Sequence, residues 1–239
     1  FEIVNEVQAI INRSFDMYAK KFHNIEPHYW EFKQELITRR AFFGEAKKRY
    51  AMWIINKNGL KVNELEVKGL DMVRSSFPAL FRKFQKEVVE DILHAVSMDD
   101  LNKKIRDFKE IYRKEPIANI MMPTGVHELS KYSYGQKGTP VHAKSAQNYN
   151  KLLDLFEINS IPRIDDGDKI LWAYLKQNPY GFDSIALRGY DDPPELVEYV
   201  TKFIDRDQIF SNAMLTKLET IWEAIGWGKV DMTEPNDYF

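Results

Sequence analysis

The run Gly44-Glu45-Ala46-Lys47-Lys48-Arg49-Tyr50 places three cations directly before an aromatic residue that opens an apolar, β-branched stretch. If Tyr50 begins a strand, alternation directs Lys48 and Tyr50 to one face. That pairing suits a nucleic-acid groove. The cation meets phosphate or a base acceptor, and the ring lies against sugar or base. A solvated strand edge would carry the same residues, so the run alone leaves both readings open.

Other chemistry-bearing groups are sparse. Asp165, Asp166 and Asp168 put three carboxylates in four residues, enough to attract a hard cation. The same segment holds Asp166-Gly167, a reversal before an apolar strand, and the turn is the preferred reading. Counted as a calcium loop, the segment would need Glu at its twelfth position, where Lys176 or Gln177 stands. Of the five His, only His23 and His28 are close in sequence, and Pro27 lies between them. A zinc site needs three or four preorganised ligands, so no metal site is assigned. Cysteine is absent, which removes disulfides, thiolate ligands and Cys nucleophiles. Phosphate-binding glycine loops and the Gly-x-Ser-x-Gly elbow are also absent. No catalytic residue is assigned.

The elements that must position these groups follow from periodicity. Ile3, Val7, Ile10, Ile11, Phe15, Tyr18 and Phe22 predict a helix over residues 2–24. Residues 34–44 are mixed and extended toward Phe42-Phe43. Residues 49–55 read as a strand that meets Asn56-Lys57-Asn58-Gly59, a hairpin turn, with a return strand over 61–69. A helix is expected from Ser75-Ser76, with Pro78 in its first turn. Ser97 and Asp100 imitate a capping box before a second helix, whose inner face is Leu101, Ile105, Phe108 and Tyr112. Residues 117–122 read as a short strand, 143–157 as a helix and 169–176 as a strand. Helices are expected over 193–203 and 206–225.

The 239 residues are 44% hydrophobic and 13% aromatic, ample for a real core. No apolar run approaches the ~20 residues that span a bilayer, and the first residues lack a signal peptide's regions. A cytoplasmic protein with no membrane partner is expected. The chain does not begin with Met, so upstream residues are expected to have been removed. The formal net charge of -2 conceals a split. Residues 1–150 hold 25 basic against 19 acidic side chains, and residues 151–239 hold 9 against 17. A basic front and an acidic back point to one polyanion-facing surface.

The order of these segments resembles the palm-to-thumb region of family B DNA polymerases. Lys47-Lys48-Arg49-Tyr50-Ala51 is similar to that family's Lys-Lys-x-Tyr motif. Val67-Lys68-Gly69-Leu70-Asp71-Met72-Val73-Arg74-Ser75-Ser76 resembles its Gly-Leu-Glu-like turn, with Asp71 where Glu is commoner. Lys131-Tyr132 and Gly138-Thr139-Pro140-Val141-His142-Ala143-Lys144 resemble the thumb loop and the start of a thumb helix. Asp166-Gly167-Asp168-Lys169-Ile170 resembles a thumb strand start. Asn178-Pro179-Tyr180-Gly181 is similar to a segment of the clamp-dependent polymerases of tailed phages. Residues 205–227 resemble the last thumb helices. The likeness covers residues 30–230.

The resemblance implies an α+β chain. Residues 1–72 would be the C-terminal part of the palm, a long helix with a small antiparallel sheet. Residues 73–230 would be a mostly α-helical thumb with a small β-containing subdomain, and 231–239 a flexible tail. It implies that the chain grips primer–template DNA behind the active site. Lys47, Lys48, Arg49 and Tyr50 would hold the primer end, with backbone contacts from Arg74, Ser75, Ser76, Lys131, Tyr132, Lys137, His142 and Lys144. His142 could equally be a buried, satisfied histidine. The family's two catalytic Asp motifs and its fingers helix do not occur in these residues. The chain is therefore not expected to be active alone. The metal-holding Asp residues are expected on an upstream polymerase chain or missing, with Mg2+ only in the assembled polymerase and no cofactor here. Tyr238 and Phe239 would dock in a sliding clamp. The alternative is a non-enzymatic DNA- or protein-interaction module, a degenerate polymerase remnant.

Overall fold

Helical spacing of the first apolar residues produces α1 (Glu2–Tyr18), which runs on into a π turn at Ala19–His23 and stops at left-handed Asn24 (φ 51°). The computed structural model describes residues 2–233. The segment after α1 is tied back along it by amide side chains. Asn12 donates to the Phe32 carbonyl (2.9 Å) and accepts from the Phe32 N–H (2.7 Å), and the Gln34 N–H donates to Gln8 (2.8 Å). Both bonds of Asn12 use groups a strand partner would use, so irregular backbone is satisfied without a sheet.

Three strands follow, β1 (Leu36–Phe43), β2 (Tyr50–Lys57) and β3 (Leu60–Lys68), in an antiparallel sheet of order β1-β2-β3. The β2–β3 turn is the expected one. Asn58 and Gly59 take φ 50° and 84°, both positive as a tight hairpin with right-handed twist requires. Buried Asn56 accepts from the Gly59 N–H at 3.0 Å and closes it. The molecule divides into two units. One holds α1, the segment after it and most of this sheet, up to residue 42 and again over 51–67. The other holds 43–50 and residues from 68 onward.

In the second unit α2 (Ala79–Leu93) starts later than the sequence suggests. Pro78 disfavours helical geometry at the residue before it, so the helix begins after the proline and Ser75-Ser76 stay in a turn. Its buried stripe of Phe81, Phe84 and Val88 meets α3 (Met98–Tyr112), where Phe84 stacks on Phe108 at 3.8 Å. Ser97 caps α3 by accepting from the Asp100 N–H at 3.2 Å. Residues 117–122 are not a strand. Pro116 starts one helical turn, α4 (Ile117–Ile120), and only β4 (Met122–Gly125) is extended.

The sheet β4-β5-β6 is completed by β5 (Lys169–Tyr174) and β6 (Ser184–Leu187), all antiparallel. α5 (Val141–Leu155) covers β6, and Asn148 donates to the Ser184 carbonyl at 2.8 Å. All four residues of β6 are buried, so no alternation marks it in the sequence. α6 (Pro194–Phe203) comes next. The expected 206–225 helix is α7 (Arg206–Phe210), a π turn at Ser211–Leu215 and α8 (Thr216–Ala224). The buried Gln85 amide donates to the Ala213 carbonyl in that π turn at 3.2 Å. No helix of the described residues is long and apolar enough to cross a membrane.

Candidate nucleic-acid interface

The Lys47–Tyr50 run lies at the β1–β2 connection. The Gly44 N–H donates to the Arg49 carbonyl at 2.8 Å, and the Arg49 N–H to the Ala46 carbonyl at 3.3 Å. Lys48 takes φ 61°, so it belongs to the turn and not to the strand. The expected alternation with Tyr50 therefore does not apply, because a left-handed residue breaks the two-residue period. Lys47, Lys48 and Arg49 are all exposed. Tyr50 is half-buried, 6.0 Å from the Phe43 ring, with the Lys68 ammonium 5.6 Å from its centroid.

Gly69 fixes this turn. Its φ is +70°, and a Cβ there would overlap the Lys48 carbonyl and lie 3.0 Å from Arg49 Cγ. Bare backbone is what allows two motifs some twenty residues apart to touch. The chain then makes a 3-10 turn at Asp71–Val73. The carboxylate of Asp71, 13% exposed, holds Arg74 Nη1 at 2.9 Å through one oxygen and Lys217 Nζ of α8 at 3.5 Å through the other. Arg74, Ser75 and Ser76 remain exposed. The structure thus brings the Lys47–Tyr50 turn beside the segment leading to Arg74, Ser75 and Ser76, and Asp71 anchors that segment to the last helix.

The remaining sequence-derived residues sit on the loop before α5 and on its first turn. Lys131 pairs with Glu128, and their hydrogen bond holds the carboxyl below and the ammonium above their usual ranges. The Tyr132 carbonyl accepts from Gln147 at 2.7 Å. Lys137 is exposed between Gly135 and Gly138. His142 is half-buried at the start of α5, and Lys144 pairs with Asp183. Tyr238 and Phe239 lie outside the described residues.

The acidic triplet is a turn. The Asp165 carboxylate accepts from the Asp166 N–H at 2.8 Å, Asp166 from the Leu129 N–H at 2.7 Å, and Asp168 from the Asp165 N–H at 3.0 Å. Asp168 also faces Arg188 Nη1 at 3.4 Å. Beside this turn lies a cleft of about 540 Å³ whose lining includes Ser75, Ser76, Thr124, His127, Lys169 and Arg188. Sequence reasoning missed the last three. The signal that joins them is a pair of strand registers, one opposing Gly125 and Lys169 and the other opposing Leu171 and Leu187 just before Arg188, which a single sequence does not display.

A family model described as DNA polymerase family B matches residues 41–225 of the chain. A DNA polymerase of Thermococcus aggregans is 24% identical over 238 residues. That alignment covers 96% of this chain and 11% of the relative, so the chain spans about a ninth of that protein's length.

Proposed function

Because the chain belongs to the family B DNA polymerases, we propose that it is the C-terminal palm and thumb of such an enzyme and grips the primer–template duplex behind the active site. The palm part is residues 1–72, the thumb 73–230 and the tail 231–239, most like the clamp-dependent replicative polymerases of tailed phages. The observation that carries this reading is the exposed Lys47-Lys48-Arg49 turn, seated on Gly69, from which the chain runs on to exposed Arg74, Ser75 and Ser76. It is a preformed cationic edge with hydroxyl donors, the composition that backbone recognition uses. Lys48 reaches minor-groove acceptors, which occupy similar positions in all four base pairs, so the grip senses pairing geometry without reading sequence.

Nucleotidyl transfer in this reading uses two metals. The residues here do not fit that role. Among the described residues no group of three or more His, Asp or Glu could hold a metal ion, and the Asp165, Asp166 and Asp168 carboxylates each accept from a backbone N–H. In this reading the metal-holding Asp residues and the fingers are on an upstream polymerase chain or missing. Exposed Ile3, Val7 and Ile10 on α1 (45–76% exposed) supply apolar surface for such a partner. The tail residues Tyr238 and Phe239 dock in a sliding clamp, and deleting them lowers clamp-dependent retention on DNA.

The test is duplex binding by the chain with Lys47 and Lys48 both changed to Ala. Affinity falls by about 1–3 kcal/mol, the scale of two charge-assisted contacts, while the melting temperature holds. Unchanged affinity of the folded variant would remove the central assignment.

A further inference from the structure

Where β4 ends and β5 begins, the backbone ladder continues past both strands. The Val126 N–H donates to the Asp168 carbonyl at 2.8 Å, and the Gly167 N–H to the Val126 carbonyl at 3.0 Å. This closure sets His127 beside Lys169, which stands opposite Gly125 in the register. The imidazole lies over Gly125, where a Cβ would come within 3.0 Å of Nε2, so the glycine makes room for the ring. Ser75 and Ser76 contribute to the lining of the same cleft. Its polar lining offers an ammonium, an imidazole, a guanidinium and three hydroxyls, and no carboxylate. Its apolar lining is Pro123, Ile170 and Leu171.

We propose that this cleft takes one sugar–phosphate unit of a nucleic-acid strand. Lys169 and His127 are exposed and meet the phosphate oxygens. The Ser75 and Ser76 hydroxyls donate to them, and Pro123 and Leu171 lie against the sugar. Arg188 is a positioning residue. Its guanidinium donates to the Pro162 and Arg163 carbonyls (3.4 and 3.3 Å), to Asp168 (3.4 Å) and to the Tyr190 hydroxyl (3.3 Å), and so pins the turn beside Lys169. That pairing also turns the Asp168 carboxylate toward Arg188. A free phosphate would use the polar rim and leave the apolar lining without a partner, whereas a sugar–phosphate unit uses both. The inference rests on the duplex-binding reading above.

The experiment is fluorescence anisotropy of a labelled primer–template duplex against the whole chain over a salt series. Changing Lys169 and His127 together to Ala weakens binding about tenfold at low salt and reduces the log–log salt slope by about 1, one lost phosphate neutralisation. Changing Ser75 and Ser76 together to Ala weakens binding with the slope unchanged, because hydroxyls release no counterions. Lys169→Arg keeps most of the affinity, and Lys151→Ala, outside the cleft, keeps all of it. If the Lys47/Lys48 variant loses affinity while the cleft variants do not, the inference fails and the duplex reading stands. If the unaltered chain binds no duplex, both fail. If inorganic phosphate shifts the His127 ring signals in NMR and duplex does not, the site is a free-anion site and the inference is overturned.

Discussion

Three tyrosines carry hydroxyls that the fold holds in their neutral form. Burial raises the Tyr112 phenol well above its ordinary range even though Arg206 works against it, and its hydroxyl donates to the Arg206 carbonyl at 2.9 Å. Burial raises Tyr149 likewise, with Asp192 adding to the rise, and pushes Tyr199 up to about 12. An unfolded tyrosine titrates near ~10. Between that pH and the folded values the unfolded chain has lost protons the native chain retains. Stability is therefore indifferent to these groups below about pH 10 and falls as pH rises through the window. Urea midpoints measured from about pH 9 to 11.5 should decline at the alkaline end. Tyr149→Phe should flatten that decline at little cost near neutrality, because among the described residues the Tyr149 hydroxyl has no well-aligned hydrogen-bond partner to lose. An unchanged alkaline slope in that variant would show that Tyr149 ionises as freely in the fold as outside it.

At the scale of elements, the turn that joins β1 to β2 depends on a glycine that follows β3. Gly69→Ala would put a left-handed alanine against the Lys48 carbonyl, and should cost more than about 2 kcal/mol from strain and clash together. It should also lower duplex affinity at least as far as removing Lys47 and Lys48, since the whole turn must shift. Gly59→Ala is the control, with φ +84° and open space around its Cβ, so it should lose about 1 kcal/mol and bind normally. Equal binding by both variants would detach the turn from the DNA contact. The β2–β3 hairpin was legible in the sequence because strand alternation and Asn58-Gly59 are local signals. The approach of Gly69 to Lys48 was not, since it is a backbone contact between segments some twenty residues apart. Nor was β6, which is buried on both faces and so lacks a period. The π turn at Ser211–Leu215 was hidden for a different reason: it keeps helical spacing while shifting the apolar face. Of the site, the cationic run and the Arg74–Ser76 segment were readable as residue types. His127, Lys169 and Arg188 were not, because only the β4–β5 and β5–β6 registers gather them.

Over the whole molecule the charges are divided along the sequence and not merely balanced. The first 150 residues carry six more basic than acidic groups, and the rest carry eight more acidic than basic ones. A net charge of -2 supplies no bulk attraction for a polyanion, so in the proposed reading DNA is held by a local patch. The acidic half supplies the opposite character. A second cleft, of about 600 Å³, is lined by Glu157, Asp191, Asp192 and Glu195 and would repel a phosphate chain. This polarity makes a quantitative expectation for binding. A patch making about four to six phosphate contacts gives a log–log salt slope near -4 to -5, largely independent of DNA sequence. The Lys47/Lys48 double variant should lower the magnitude by about 2, one unit for each lost neutralisation. Affinity measured between about 50 and 200 mM salt on two unrelated duplexes checks both numbers. A flat salt response would mean that the cationic edge is not what meets the backbone. A strong preference for one duplex would mean that the chain reads bases, which a grip sensing only minor-groove geometry does not do.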